Sequence, residues 1–201
     1  MNRRHLLLAG MAGALGFSFV LPASAANTAE DFVSGNIQQG FDILNDRGTS
    51  AAQRKARFAT FVVGLTDVKR VAVFLLGRYA NAAAPADMDA YVAAYQDYVL
   101  EVYQSYFAQY AGQSLRIIDS RERATNDFVV RTNMTGNSAA PIEIDFRVRT
   151  DGAKPVLVDL GVAGVWLALA QRDQFTAVLG QNNGDIKALT AHLRSTEKLY
   201  R

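Results

Sequence analysis

Few residues in this chain could do chemistry. No cysteine occurs in 201 residues, which excludes thiolate nucleophiles, zinc–cysteine sites and iron–sulfur clusters. His5 and His192 are the only histidines, too few for a histidine-based metal centre, so neither a metal nor another cofactor is expected. His192 lies in a polar stretch near the C-terminus with no candidate nucleophile beside it; it reads as a surface helix residue, not as the base of a Ser–His–Asp triad. A Gly-x-Ser-x-Gly elbow, a phosphate-binding glycine loop, His-Glu-x-x-His and Gly-x-Gly-x-x-Gly are all missing. Glu143 and Asp145 share a strand face, about 7 Å apart at a rise of ~3.4 Å per residue. Arg147 and Arg149 continue that face, which favours ion pairs over the raised pKa that acid catalysis needs. The sequence points away from an enzyme.

What the chain does possess is a run of aromatic rings. Tyr91, Tyr95, Tyr98, Tyr103, Tyr106, Phe107 and Tyr110 recur at steps of three and four among Val92, Val99 and Val102. On a helix this spacing gathers much of the set on one broad face. Tyrosine offers an apolar ring and a hydroxyl that seeks a partner, so the stripe suits a wall that is part core and part cavity, although simple core packing explains any single tyrosine as well.

The elements that must position these residues follow from periodicity. Met1–Ala25 reads as an export leader: Arg3 and Arg4, a 16-residue apolar run from Leu6 to Leu21, the breaker Pro22, and the small-residue site Ala23-Ser24-Ala25. The run falls short of the ~20 residues that span a bilayer. Periplasmic export is therefore expected, by the general or the twin-arginine route, with the mature domain occupying residues 26–201. Cleavage would remove two basic residues and no acid, leaving 19 of each sign. The basic excess of a nucleic-acid binder is then absent.

Residues 26–201 show no repeat or linker and read as one domain. Apolar spacing is helical to about Gly112, strand-like from Ser114 to Val162, and helical again afterwards. Thr28 is the expected cap of the first helix, Thr49 or Ser50 of the second, Asp67 of a third over Val68 to Leu76, and Asp87 of the long tyrosine helix. Four antiparallel strands are predicted: Leu115 to Arg121, Phe128 to Met134, Ile142 to Arg149, and one aligning Val156, Val158, Leu160 and Val162. Ile144, Phe146 and Val148 should face the helices, with Glu143, Asp145 and Arg147 towards solvent. Val165 to Leu179 and Asp185 to Leu199 are expected to close the chain as helices. The predicted fold class is α+β: an antiparallel sheet of about four strands covered on one face by N- and C-terminal helices.

Three stretches make a family resemblance visible. They are Phe74-Leu75-Leu76-Gly77-Arg78-Tyr79, the tyrosine helix ending Tyr103-x-x-Tyr106-Phe107-x-x-Tyr110-x-Gly112, and Val158-Asp159-Leu160-Gly161-Val162-Ala163-Gly164-Val165 followed by Arg172-Asp173-Gln174-Phe175. Their order and spacing, over essentially all of residues 26–201, resemble the MlaC, or toluene-tolerance, family. That resemblance implies a hydrophobic pocket between sheet and helices that holds the acyl chains of a phospholipid. It also implies a monomeric periplasmic carrier that shuttles lipid between an outer-membrane lipoprotein complex and an inner-membrane ABC transporter complex, supporting outer-membrane lipid asymmetry. A hopanoid or isoprenoid cargo, or a scaffold role in the same machinery, are the alternatives. With the resemblance as guide, the expected pocket lining is Phe74, Leu75 and Tyr79, then Tyr95, Tyr98 and Val102, with Phe146 and Val148 from the sheet and Val165, Trp166 and Leu169 from the closing helix. Trp166 departs from the family pattern and is expected to narrow the pocket.

Overall fold

The computed structural model describes residues 25–107, 111–136 and 140–197, with side chains over 27–102, 111–136 and 140–196. The expected leader up to residue 24, the side chains of Tyr103, Tyr106, Phe107 and Tyr110, and Leu199 lie outside those residues.

Helix α1 spans Ala25–Asn45, α2 Ala51–Leu65, α3 Val68–Leu76 and α4 Pro85–Phe107, with a 3₁₀ segment Gly77–Ala82 between the last two. Strands β1 (Ser114–Ala124), β2 (Asp127–Thr135), β3 (Ile142–Arg149), β4 (Val156–Val162) and β5 (Val165–Trp166) follow, and α5 (Leu167–Gln181) and α6 (Ile186–Glu197) end the described chain. The strands form one antiparallel sheet in sequential order. The fold is α+β.

Local chemistry accounts for most boundaries. Ser50 and Gln53 exchange side chain and backbone in a capping box that starts α2. Asp67 accepts the N–H of Arg70 at 3.0 Å and starts α3. At the other end of α3, Gly77 takes φ +55°, a left-handed value that glycine adopts without a Cβ penalty. Thr28 is not a cap, because α1 already runs from Ala25; Asp87 sits in the first turn of α4, which begins at Pro85.

Two cores result. In the first, Ala29 and Val33 of α1 lie on Phe128, Val130 and Val148 of the sheet. In the second, α3, α4, α5 and α6 bury Leu75, Leu76, Tyr91, Phe175, Leu179 and Leu189 among themselves. Tyr91 is fully buried and its hydroxyl donates to the carbonyl of Ala72 at 3.1 Å, which satisfies the one polar atom its burial would strand.

Register confirms the β2–β3 pattern and corrects three expectations. Phe128 faces Val148, Val130 faces Phe146 and Thr132 faces Ile144, all on the face that α1 covers. Asp145 lies on the opposite face as expected, yet it is only 7% exposed. The Arg131 guanidinium lies 3.5 Å from it, and Gly161 and Trp166 of the neighbouring strands close over it. The alternation expected for β4 breaks at Val158, where the register with β3 slips; Leu157 and not Val158 opposes Val148. A slip of one residue exchanges faces, so Leu157 is buried while Val156 and Val158 are only half-buried. The sheet also has five strands, since Val165 and Trp166 pair with Val162 and Gly161 rather than opening α5. Ala163 (φ +49°) and Gly164 (φ +82°) make the tight turn between them.

Candidate functional site

Where the helical core meets the edge of β4 lies a cavity of about 270 Å³. Its walls come from Val68 and Val71 of α3, Tyr95, Tyr98, Val99 and Val102 of α4, residues 157–160 on the unpaired edge of β4, and Leu167, Ala168, Ala170, Gln171 and Gln174 of α5, with Thr66 from the α2–α3 link. Thr66 and Leu157 form an isolated parallel bridge, which holds that link against the strand edge. Strand β4 has its own edge available there because β5 pairs only with its last two residues. The cavity exists where the sheet stops and the helical layer begins.

The α4 wall is the tyrosine stripe. Tyr91 and Tyr95 stack with ring centroids 6.3 Å apart, Tyr95 and Tyr98 follow at 6.5 Å, and Phe175 of α5 meets Tyr95 edge-on at 6.2 Å. One helix face thus passes from core at Tyr91 to cavity wall at Tyr95 and Tyr98. The Tyr95 hydroxyl donates to Gln171 Oε1 at 3.1 Å, bridging α4 and α5 across the cavity.

A carboxylate stands in this otherwise mostly apolar lining. Asp159 Oδ1 accepts the N–H of Leu160 at 2.8 Å and that of Ala168 at 2.9 Å. Burial pushes its pKa above the usual carboxylate range, while the two N–H donors and the charges of Arg147 and Arg123 oppose that shift. His192 is exposed on α6, and among the described residues no group of three or more His, Cys, Asp or Glu could hold a metal ion.

The expected lining residues divide sharply. Tyr95, Tyr98 and Val102 line the cavity. Leu75 is fully buried in the helical core, and Tyr79 is half-buried with its ring against Gly184 in the α5–α6 turn. Phe146 and Val148 belong to the core beneath α1. Trp166 lies on the sheet face away from α1, where the Arg123 guanidinium sits 5.9 Å from its ring, so it does not narrow this cavity. Phe74, Val165 and Leu169 are exposed. The lining residues outside that expectation are Thr66, Val68, Val71, Val99, Leu157, Val158, Asp159, Leu160, Leu167, Ala168, Ala170, Gln171 and Gln174. The one available signal was Asp159 itself, a lone acid inside the apolar run Val156 to Val162.

The opposite sheet face is a lattice of charges. Arg147 grips Asp127 through two hydrogen bonds of 3.0 and 2.7 Å, and Arg131 lies 3.4 Å from Glu143 and 3.5 Å from Asp145. These are the cross-strand ion pairs that alternating acids and arginines foretell.

Comparison with known proteins agrees with this architecture. Residues 35–195 match the family model described as MlaC protein. Among solved structures, the chain is similar to a phospholipid-binding protein from Ralstonia solanacearum, determined in complex with a phospholipid. The two are 21% identical with a TM-score of 0.70, covering 89% of this chain and 99% of that one.

Proposed function

The chain belongs to the MlaC family, and from that premise we propose that it is a lipid-binding carrier, not an enzyme, with the cavity between α4, α5 and the β4 edge as its cargo site. The observation that carries this reading is the cavity's position. Apolar side chains of α3, α4 and α5, several of them part of the helical core, converge on the edge of β4 that β5 leaves uncovered, where the helical layer meets the sheet. The Ralstonia protein, with the same fold and a bound phospholipid, supports phospholipid as the ligand class.

Energetics favour such a container. Each methylene withdrawn from water is worth ~0.8 kcal/mol, so about twenty-five of them face a barrier of roughly 20 kcal/mol against free passage through water. The cavity of about 270 Å³ is small beside the ~300–1,000 Å³ usual for ligand pockets. It suits part of one acyl chain, and a whole phospholipid would require α5 to move away from β4. Release needs a receiving site, because the cargo has no favourable exit into water. We assign that role to the outer-membrane lipoprotein complex and the inner-membrane ABC transporter complex of the Mla system, with the protein a monomer in the periplasm after loss of its leader and supporting outer-membrane lipid asymmetry. No helix among the described residues is long and apolar enough to cross a membrane.

The test is native mass spectrometry of the protein purified from the periplasm of its own host. A stoichiometric phospholipid adduct, released by solvent extraction, is the expected result. Protein that is lipid-free, and that takes up no lipid from vesicles, would overturn the carrier reading.

A further inference from the structure

We propose that the outward face of α3 and α5 is a docking surface for an anionic lipid bilayer. Six large hydrophobic residues are exposed among the described residues; Val73 at 37% and Phe74 at 38% lie on α3, Leu169 at 50% on α5, and Val165 at 56% on β5 just before α5. Isolated exposed hydrophobics are ordinary; exposed ones on two helices joined through Arg172, which is one turn from Leu169 and lies over the Phe74 ring, are less so.

Cations accompany these residues. Lys69 lies one turn before Val73 on α3, and exposed Arg78 follows the Gly77 turn that ends α3, its guanidinium donating to the Tyr79 hydroxyl at 2.9 Å. The Arg172 guanidinium, on the same stripe of α5 as Leu169, stands 4.8 Å over the Phe74 ring. Arg70 is neutralised by Asp151 at 3.2 Å, and Asp173 is the exposed acid that α5 adds to this stripe. Apolar tips bordered by long cationic side chains match the boundary between acyl chains and anionic headgroups, where the tips enter and the cations reach phosphates. Charge complementarity therefore selects an anionic membrane. The overall balance of 19 acids and 19 bases from residue 26 onward makes this local excess the attracting element.

Continuity with the cavity strengthens the inference. The same two helices that present Phe74 and Leu169 outwards supply Val71 and Gln171 to the cavity wall. A bilayer seated on this face would lie against two of the helices that wall the cavity. Docking does not depend on the cavity holding lipid, so the two ideas can fail separately.

The experiment is cosedimentation with vesicles of phosphatidylcholine alone or mixed with phosphatidylglycerol, using the chain from Ala25 onward, which contains every helix, strand and core residue described. Binding to the mixed vesicles only, lost at high salt, is expected. The pair Phe74→Ser and Leu169→Ser, and separately the pair Lys69→Glu and Arg78→Glu, should each weaken it by roughly tenfold or more. A matched pair on β1, Arg116→Glu and Ile118→Ser, should leave it unchanged. Circular dichroism melts confirm folding; should the serine pair unfold, Val73→Gln replaces it. Extracted lipid is measured in the same variants and should not change. No binding to anionic vesicles, binding indifferent to all the α3 and α5 variants, or loss of bound lipid along with docking would each overturn the proposal. Wild-type protein that ignores vesicles yet binds a protein through these residues would overturn it in favour of a protein partner.

Discussion

Asp159 Oδ1 lies 2.9 Å from the backbone nitrogen of Ala168 and accepts its hydrogen, which ties the free edge of β4 to the first turn of α5. Trp166, the residue that precedes α5, has no side-chain oxygen and makes no cap of its own. The helix therefore borrows its N-terminal acceptor from a strand, and the bond spans the cavity wall. A carboxylate at a helix N-terminus also meets the positive end of the helix dipole.

Substitution at Asp159 should separate acceptor from charge. Asp159→Ala removes the oxygen and leaves two N–H groups short of a partner, at a cost of about 1–2 kcal/mol. Asp159→Asn keeps an acceptor and sheds a charge that burial opposes, so it should stay within ~1 kcal/mol of wild type at neutral pH. Because folding raises this pKa above the unfolded value of ~3.9, the carboxyl contributes most below that value and loses its contribution as pH rises through the folded pKa. Thermal melts from acidic to neutral pH should show the Asn variant gaining on wild type as pH rises. An Asn variant as unstable as Ala at every pH would contradict this.

The Arg147–Asp127 pair should behave in the opposite sense. The Arg147 side chain holds the Asp127 carboxyl below its usual range by hydrogen bonding, helped by the charges of Arg123 and Arg149. Its stabilisation is present above the unfolded pKa of ~3.9 and is lost as pH falls through the lower folded value. Asp127→Asn should cost about 1–3 kcal/mol at pH 7, limited because Arg147 keeps partial access to water. The gap between variant and wild type should close in acid, as denaturant titrations at several pH values would show.

Legibility varied with how far a pattern depends on distant partners. The β2–β3 pairing was readable because period-two alternation fixes both faces, and Phe128 opposite Val148 follows from it. Helix α3 was readable because Asp67 and Gly77 mark its ends chemically. Phe74 and Leu75 were not separable, since both are large and apolar. One step along the helix turns a side chain by about 100°, enough to expose Phe74 and bury Leu75 completely. Val165 and Trp166 fit helical spacing with Leu169 as well as strand pairing with Gly161 and Val162, and only the turn at Ala163 and Gly164 decided for the strand. The cavity itself depends on how α5 docks against the β4 edge, which no periodicity within either segment encodes.

Gly184→Ala offers a test of the α5–α6 turn. Gly184 has φ +79°, and a Cβ there would meet the Tyr79 ring at 3.0 Å. The backbone strain alone is worth about 1–2 kcal/mol, and the ring must also shift. Tyr79→Ala in the same background should recover the steric part and leave the strain, so the double variant should cost less than the sum of the two single changes. Strict additivity in chemical denaturation would exclude the contact.

Three substitutions to aspartate distinguish cavity, core and surface. Val148 is fully buried between α1 and the sheet, so Val148→Asp strands an unpaired charge and should unfold the protein at 37 °C or cost about 3–5 kcal/mol. Leu169 is half exposed and outside the cavity, so Leu169→Asp should leave both the thermal midpoint and the extracted lipid close to wild type. Val102 lines the cavity and is only partly buried, which lets a new carboxylate reach water when no chain occupies the space. Val102→Asp should therefore keep a midpoint within a few degrees of wild type while bound lipid falls at least several-fold, since an acyl chain would have to desolvate the charge. Lipid content and melting are read on the same samples. Full lipid retention by Val102→Asp, or lipid loss in Leu169→Asp, would move the cargo site away from the α4–β4–α5 cavity and towards the exposed face of α5.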